Sequence, residues 1–228
     1  MKIIIPMAGK GSRFSQAGFT KPKPLIPISS FDDISMIELV IKNLDLSGEY
    51  IFIVQEEHYE KFELNKFLNY ISPNCKIVIA KGPTEGAACT VLLAKEFINN
   101  EDSILIANSD QYMDWEKEGF LNTIKRNVDG CILTFNSDNP NCSYVKLDKN
   151  NFVSEVAEKK LISNIATVGI YYWRKGSDFV KYAEEMIKKN IRTNNEFYVC
   201  PVFNEAIADG KRIKTFDIEK MWGIGTPE

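Results

Sequence analysis

In the first 110 residues, short apolar runs alternate with longer segments of helical periodicity. The runs are rich in β-branched residues and apolar almost throughout, which is typical of strands buried on both faces. We predict strands at Ile3–Pro6, Tyr50–Val54, Cys75–Ala80 and Ser103–Ala107. Helices are predicted between them at Met36–Leu44, Tyr59–Tyr70 and Glu85–Ile98, the last with Thr84 as N-cap. This alternation predicts an α/β fold with a mostly parallel sheet covered by helices on both faces.

The pattern changes after Asp110, where strand-like runs follow one another through short turns. These runs are Cys131–Phe135, Tyr144–Leu147, Phe152–Glu155 and Ala166–Trp173, and they predict a small antiparallel insertion in the C-terminal half. Two helices are expected after them, around Phe179–Ile187 and Phe197–Asp209, the second closed by Gly210. No repeat or Gly/Ser-rich linker interrupts the chain, so we expect one domain with a Rossmann-like sheet over residues 1–228.

Composition excludes several classes of protein. The net charge of −3 over 228 residues provides no broad basic field, so nucleic acid is not an expected partner. One histidine and five scattered cysteines without a C-x-x-C pair argue against a zinc site and fit reduced thiols. No segment has the features of a signal peptide or the ~18 apolar residues needed to span a bilayer. A cytoplasmic protein without a membrane partner is therefore expected.

A glycine-containing turn, Ala8–Arg13, directly follows the first predicted strand. Gly9 and Gly11 let the backbone turn tightly, and successive N–H groups in such a turn suit phosphate oxygens. Arg13 adds a planar fork of donors, and Lys23 lies between two prolines that stiffen the chain. The segment therefore predicts a polyphosphate site. It is neither a dinucleotide fingerprint, since Phe14 replaces the third glycine, nor a P-loop, which would end in G-K-[ST].

A carboxylate follows the buried run Ile104–Ala107, in the sequence Asn108-Ser109-Asp110. Ligands of open α/β sheets bind beyond the carboxyl ends of the strands, where this segment and the glycine turn would both lie. An aspartate facing bound phosphates there can bind Mg²⁺. The alternative is that Asp110 only forms a turn after the strand.

These motifs resemble the signature of the nucleotidyltransferase family of sugar-phosphate pyrophosphorylases. The last seven positions of the family's A-G-G-x-G-x-R-L pattern correspond to Ala8–Phe14, and its P-K-P…L-x-P pattern corresponds to Pro22–Pro27. The resemblance extends over essentially the whole chain. It implies a Mg²⁺-dependent enzyme that joins an NTP to a phosphorylated small molecule, foremost a sugar 1-phosphate, and releases pyrophosphate. Residues 1–112 would form the nucleotide-binding half and residues 113–228 the acceptor-binding half.

The resemblance also implies roles for individual residues of the nucleotide-binding half. Catalysis would depend on Arg13, Lys23 and Asp110, with Asp110 as the Mg²⁺ ligand. The nucleotide would be bound by Ala8, Gly9, Gly11, Ser12, Gly82, Glu85, Gly86, Asn108 and Ser109. Lys81 stands where the family has a base-contacting glutamine, so that contact cannot be transferred to this chain.

Four residues of the second half match the family's acceptor-binding positions, namely Glu158, Lys159, Gly169 and Glu196. Lys160 replaces the proline that usually follows the lysine. Gly223 replaces the aspartate that would be the second metal ligand, in the segment Trp222-Gly-Ile-Gly-Thr226. We therefore expect the second ligand from Asp217, in preference to Glu219, because a shorter side chain holds a metal more rigidly.

Two alternatives remain open at this level. One is the same chemistry on a non-sugar phosphate, as in related cytidylyltransferases that activate phosphocholine or similar alcohols. The other is a nucleotide-binding or regulatory domain that lost catalysis together with the second aspartate. Nucleotide sugars commonly supply capsule or surface polysaccharide synthesis, which would be the expected pathway context. A homo-oligomer is compatible with the sequence.

Overall fold

The computed structural model describes residues 1–227. Strand β1 (Lys2–Pro6) lies inside a nine-stranded mixed sheet. Its isoleucines at positions 3–5 are completely buried, as expected for an apolar strand that is covered on both faces. Strands β4 (Glu49–Gln55) and β6 (Ile104–Ala107) flank β1, and both pair with it in parallel. Strand β5 (Lys76–Ala80) continues this parallel order to the sheet edge. The predicted Rossmann-like parallel core is confirmed.

Strand β11 (Ile165–Trp173) joins the parallel core to an antiparallel part of the same sheet. It runs antiparallel to β6 on one side and to β8 (Gly130–Asn136) on the other. Strands β9 (Ser143–Leu147) and β10 (Val153–Glu158) form the antiparallel hairpin predicted for the C-terminal half. The remaining strands are β2 (Pro27–Ile28), β3 (Ile34–Ser35), β7 (Gln111–Asp114), β12 (Ile213–Asp217), which pairs with β8, and β13 (Lys220–Gly223).

Helices cover both faces of the sheet, as predicted. Ile4 belongs to one apolar cluster while Ile3 and Ile5 belong to another, because successive strand residues point to opposite faces. The helices are α1 (Ser12–Gln16), α2 (Met36–Leu44), α3 (Glu56–Lys61), α4 (Leu64–Ile71), α5 (Ala87–Leu92), α6 (Lys95–Ile98), α7 (Lys117–Lys125), α8 (Gly176–Lys188) and α9 (Val202–Ala208). The first cluster receives side chains from α5, α8 and α9, and the second from α2, α4 and α7.

Two long predicted helices are each divided in the structure. The segment 59–70 is split between α3 and α4, where Glu63 adopts a left-handed φ of 46°. The segment 85–98 is split between α5 and α6. Thr84 is not its N-cap, because Gly86 lies at that position and the Thr84 hydroxyl donates to the Gly86 carbonyl instead.

The helix predicted from Phe197 begins later than expected. Helix α9 starts at Val202, after Pro201 at the N-cap position. Phe197 instead belongs to a loop that is hydrogen-bonded to Glu85 and Ala88. Its apolar side chain is buried at 1% exposure although its backbone is not helical, which explains why periodicity alone placed it in the helix.

The C-terminal segment folds back onto the sheet. Strand β13 pairs antiparallel with β7, which follows directly after Asp110. This pairing brings residues 220–225 to the carboxyl end of β6. Over residues 1–227, no helix has the length and apolar character required to cross a membrane.

A stability prediction follows from the packing of α9 on the sheet. The rings of Trp173 and Phe203 stack with centroids 4.2 Å apart, and both side chains are fully buried. We expect Phe203→Ala to lower the free energy of unfolding by about 3–5 kcal/mol, since it leaves a cavity against the indole. Leu161→Ala, at a position with 57% exposure, is the control and should change it far less. Urea denaturation measures both, and equal effects would contradict this account.

Candidate active site

Two adjoining cavities open at the carboxyl ends of β1 and β6. The smaller, of about 330 Å³, is lined by the glycine turn, Lys23 and residues 108–110. The larger, of about 1000 Å³, extends over β9–β11 and the loop before α9. Both linings contain Arg13, Lys23, Asn108, Asp110 and Gly225. The two cavities therefore share one wall, and that wall carries the charged side chains predicted to be catalytic.

The glycine turn forms one side of the smaller cavity. Gly11 adopts a left-handed φ of 59° immediately before α1, a conformation that glycine takes at little cost. A side chain there would also lie 3.2 Å from Cβ of Lys23. Gly9, Ser12 and Arg13 line the cavity beside it. The structure thus brings the turn and the Pro-Lys-Pro element together, as their shared prediction requires.

Lys23 and Asp110 form an ion pair in this shared wall. Their side chains are 21% and 30% exposed, so the pair is partly shielded from water. The ammonium is held in place because Lys23 opens a 3₁₀ turn directly after Pro22. Gly225 lies against the pair, and a side chain there would clash with the Asp110 carboxylate. The sequence analysis did not select Gly225 as a site residue, although it lies in the segment Trp222–Thr226 that was compared with the family.

Asn108 connects the smaller cavity to the larger one. Its backbone N–H donates to the Gly169 carbonyl over 3.0 Å, and its carbonyl accepts from the Gln111 side chain over 2.9 Å. Gly169 has a φ of 89°, and a side chain there would overlap the Asn108 amide. Only glycine fits this approach. Ser109 is buried at the wall of the smaller cavity.

Four predicted nucleotide-binding residues lie outside both cavity linings within residues 1–227: Ala8, Gly82, Glu85 and Gly86. The Ala8 carbonyl accepts from the Gln55 side-chain amide over 2.6 Å, a contact that the sequence did not indicate. The Glu85 carboxylate pairs with Arg192. Gly86 packs against the backbone of Phe197. Their binding of nucleotide stays a prediction.

Glu158 and Lys159 lie together in the wall of the larger cavity. The Glu158 carboxylate accepts from the Ser143 hydroxyl. Burial raises the pKa of Glu158, an effect that the Ser143 hydrogen bond and the Lys159 charge oppose and the Glu196 charge reinforces.

Lys159 is held in an unusual backbone conformation, with a φ of 51°. Its N–H donates to the Cys142 carbonyl over 3.1 Å. Its ammonium donates to the Tyr198 hydroxyl over 2.6 Å and lies 4.6 Å from the centre of that ring. Tyr198 also lines the cavity, and the sequence analysis did not select it. Its nearest signal was its position two residues after Glu196.

Glu196 is exposed and does not belong to either cavity lining in the described part of the chain. It lies in a tight bend in which Thr193 and Glu196 exchange backbone hydrogen bonds of 2.9 and 3.0 Å. Asn194 of this bend and Tyr198, two residues after it, do line the larger cavity. The structure therefore places Glu196 beside the predicted acceptor site, with neighbours of Glu196 facing it.

Asp217 and Asp110 do not line a common cavity in the described residues. Asp217 ends β12 at an exposed position, accepts a hydrogen bond from the Thr134 hydroxyl, and is not among the lining residues of either cavity. Its role as the second metal ligand stays a prediction. Gly223 lies in the lining of the larger cavity, and a Cβ built on it meets no atom within 4 Å.

A divalent ion would find few protein ligands at this site. Within residues 1–227, no group of three or more His, Cys, Asp or Glu side chains could hold a metal on its own. Asp110 offers hard carboxylate oxygens beside the predicted phosphate site, which fits Mg²⁺ shared with phosphate oxygens and water. The residues fit an ion that arrives with a ligand.

A comparison with known protein families agrees with the fold and the site. Residues 2–228 match the family model described as nucleotidyl transferase, and the chain belongs to this family. The glycine turn, the Lys23–Asp110 pair and the parallel core occupy the matched region.

Particular relatives can also be named. The chain is 30% identical to the bifunctional protein GlmU of Methanococcus aeolicus over 176 residues, which cover 75% of the chain and 39% of that protein. It is 26% identical to GlmU of Methanocaldococcus jannaschii over 232 residues, covering 100% of the chain and 52% of that protein. The chain thus spans about two fifths to one half of these curated relatives.

Solved structures show the same fold. A nucleoside-diphosphate-sugar pyrophosphorylase from Vibrio cholerae superimposes with a TM-score of 0.83 at 24% identity, covering 99% of this chain and 96% of that one. An inositol-1-phosphate CTP transferase from T. maritima superimposes with a TM-score of 0.77 at 16% identity, covering 99% and 89%.

The raised pKa of Glu158 predicts a pH-dependent stability difference. A carboxyl group with a folded-state pKa above its unfolded value destabilises the fold when it is ionised. This cost begins to shrink as pH falls through the folded pKa and is lost below the unfolded pKa. We therefore expect Glu158→Gln to be more stable than wild type near pH 7, with the difference shrinking as the pH is lowered. Urea denaturation between pH 5 and pH 8 measures this.

The control is Glu155→Gln, at an exposed position of the same strand β10. It should show no comparable pH-dependent difference from wild type. A Glu158→Gln protein that is less stable than wild type by a constant amount at every pH would contradict the assigned role of burial.

Proposed function

We propose that this chain catalyses transfer of a nucleotidyl group from an NTP to a phosphorylated small molecule, with a sugar 1-phosphate as the acceptor and pyrophosphate as the product. The observation that carries the proposal is the shared wall of the two cavities. The rest of the glycine turn lies on one side of it and Lys159 on the other, while Arg13, Lys23 and Asp110 belong to both cavity linings. A reaction between two phosphates requires two binding cavities that meet, so that the phosphate bound in one can reach the phosphate bound in the other.

In this reaction, an oxygen of the acceptor phosphate attacks the α-phosphorus of the NTP. The bond from that phosphorus to the oxygen bridging to the β-phosphate breaks, and pyrophosphate leaves. A phosphate monoester is already an anion near neutral pH, so no general base is required. Catalysis then consists of positioning the two phosphates and stabilising the charge that develops.

Arg13 and the N–H groups of the glycine turn are assigned to the β- and γ-phosphates. Lys23 is assigned to the α-phosphate, where it would leave its ion pair with Asp110 for phosphate oxygens. Asp110 would hold Mg²⁺, which supplies neutralisation of the triphosphate charge when bound. Asn108 and Ser109 also line the smaller cavity, and because they are neutral they do not repel the negative charge of the triphosphate.

The acceptor assignment is supported by the chemistry of the larger cavity. Lys159 provides an ammonium for the acceptor phosphate, and Tyr198 holds that ammonium at the cavity wall. Hydroxyl and amide groups line much of the remaining surface, which suits the hydroxyls of a sugar. They are Ser137, Asn139, Asn141, Ser143, Thr167 and Asn194. The name of the Vibrio cholerae structure, a nucleoside-diphosphate-sugar pyrophosphorylase, agrees with this choice.

The acceptor class places the product among nucleotide sugars. Such a product would serve as a glycosyl donor, for example in the synthesis of capsule or surface polysaccharide. A cytoplasmic enzyme is the corresponding proposal, since NTPs are available there.

The proposal is tested by pyrophosphate release from a panel of substrates. CTP, UTP, dTTP and GTP are each combined with glucose 1-phosphate, N-acetylglucosamine 1-phosphate, inositol 1-phosphate and phosphocholine in the presence of Mg²⁺. We expect turnover with a sugar 1-phosphate, and almost none by Asp110→Asn at any Mg²⁺ concentration. Turnover only with phosphocholine would establish the non-sugar alternative. No turnover with any pair would favour a nucleotide-binding domain.

Lys23, which belongs to both cavity linings, and Lys159, which lines only the larger cavity, should give different kinetic effects. Lys23→Ala and Arg13→Ala each remove a charge assigned to the triphosphate, on which negative charge develops as pyrophosphate leaves, so we expect kcat to fall by about 10²–10³. Lys159→Ala should mainly raise the KM for the acceptor. Steady-state kinetics with the reacting pair, and calorimetry with the NTP alone, separate these effects. If Lys159→Ala weakens NTP binding as strongly as acceptor binding, its assignment is wrong.

A further inference from the structure

Gln111 is a buried polar residue in the lining of the larger cavity, and its hydrogen bonds are incomplete. The residue is only 3% exposed. Its Nε2 donates to the Asn108 carbonyl over 2.9 Å, whereas its Oε1 is buried and accepts no hydrogen bond from the described residues 1–227. A buried amide oxygen without a donor is energetically costly. In a cavity wall, such an oxygen indicates a place where a ligand supplies the donor.

The bond to Asn108 decides which end of the Gln111 amide remains for a ligand. A backbone carbonyl can only accept a hydrogen bond, so the NH₂ end must face Asn108 and the oxygen must face away from it. Asn108 is itself held by Gly169, whose carbonyl accepts from the Asn108 N–H over 3.0 Å. The amide of Gln111 therefore offers the cavity an acceptor and not a donor.

The pairing of β7 with β13 leaves room beside Gln111. Gln111 lies directly opposite Gly223 in this antiparallel pair, and side chains of directly opposite residues lie on the same face. The next pair, Tyr112 and Trp222, has its rings on the other face, with centroids 5.7 Å apart. Gly223 also lines the larger cavity, and a Cβ built on it meets no atom within 4 Å. The space that a longer side chain at position 223 would occupy is thus open to a ligand.

The position of Gln111 indicates which ligand group its oxygen meets. Within residues 1–227, Gln111 lines the larger cavity and not the smaller one, so it faces the proposed acceptor and not the triphosphate. A neutral amide oxygen accepts from a hydroxyl or an N–H group and cannot pair with a deprotonated phosphate oxygen. A sugar phosphate carries hydroxyl donors on its ring, whereas phosphocholine carries no such donor outside its phosphate. The chemistry of Gln111 therefore favours a sugar.

We infer that Gln111 is a specificity-determining residue whose Oε1 accepts a hydrogen bond from one hydroxyl group of the sugar acceptor, in the space beside Gly223. The inference rests on the proposed function and deepens it, because it assigns one acceptor hydroxyl to a residue that the sequence analysis did not select. An acceptor without this hydroxyl leaves the buried oxygen unpaired and is rejected for that reason. Gln111 neither contacts the reacting phosphates nor moves a proton.

The test compares the sugar 1-phosphate that reacts in the substrate panel with its monodeoxy derivatives, each of which lacks one hydroxyl group. The kcat/KM of every compound is measured with wild type and with Gln111→Met, which has nearly the same length but no amide. We expect wild type to use one derivative at least about tenfold less well than the parent compound. Gln111→Met should use the parent less well than wild type does, and it should no longer distinguish the parent from that derivative.

A second variant tests the same contact from the opposite strand. Gly223 is exposed and its Cβ direction is free of other atoms, so Gly223→Val should fold normally. Its side chain enters the space beside Gln111, and we expect it to abolish the preference for the same hydroxyl. The control is Gln16→Met, the same substitution at an exposed position of α1 that lies outside both cavity linings within residues 1–227. It should keep the wild-type preference.

Three results would overturn the inference. The first is a wild-type protein that uses all monodeoxy derivatives as well as the parent. The second is a preference that survives unchanged in Gln111→Met or in Gly223→Val. The third is a Gln111→Met protein that uses the parent and every derivative less well by one common factor, because a purely structural role lowers all rates alike and leaves the preference intact.

Failure of the proposed function is seen separately in the substrate panel. If no sugar 1-phosphate reacts, the proposed function and this inference fall together. If a sugar 1-phosphate reacts and its preference over the derivatives does not depend on Gln111, only the inference falls.

Discussion

The ion pair between Lys23 and Asp110 joins segments that are far apart in the chain. Lys23 belongs to the turn after Pro22, Asp110 follows β6, and Gly225 packs against both from the C-terminal segment. The Ile224 N–H donates to the Asp110 carbonyl over 3.0 Å, which fixes the third segment in place. The shared wall of the two cavities depends on this meeting, and the proposed chemistry depends on that wall.

The pair also explains how a polyphosphate could be received. In a partly shielded site, an unpaired ammonium or carboxylate would be costly, and each partner satisfies the other. In the proposed reaction, a triphosphate would offer Lys23 a new anionic partner, and Mg²⁺ would offer Asp110 a cationic one. Both groups can then change partners without leaving a charge unpaired. The parallel core supports this exchange by holding the ends of β1 and β6 side by side.

Much of the fold could be predicted because burial leaves a strong local signal. Ile3–Pro6 and Ile104–Ala107 are apolar throughout, and both are buried strands of the parallel core. The predictions failed where one residue overrides periodicity. The left-handed Glu63 divides one predicted helix, and Pro201 delays another. The Tyr198–Lys159 hydrogen bond spans 39 positions and leaves no local pattern.

The sequence by itself determined the class of fold, the family and the glycine turn, because strand burial and tight backbone turns depend on residues close together in the chain. Only the tertiary structure decided which side chains each carboxylate meets. Asp217 looked suitable from its place before Gly223, yet β12 pairs with β8 and directs it to Thr134. The pairing of Arg192 with Glu85 likewise appeared only in the folded chain. Strand order and loop docking arise from packing between distant segments, which local sequence patterns do not specify.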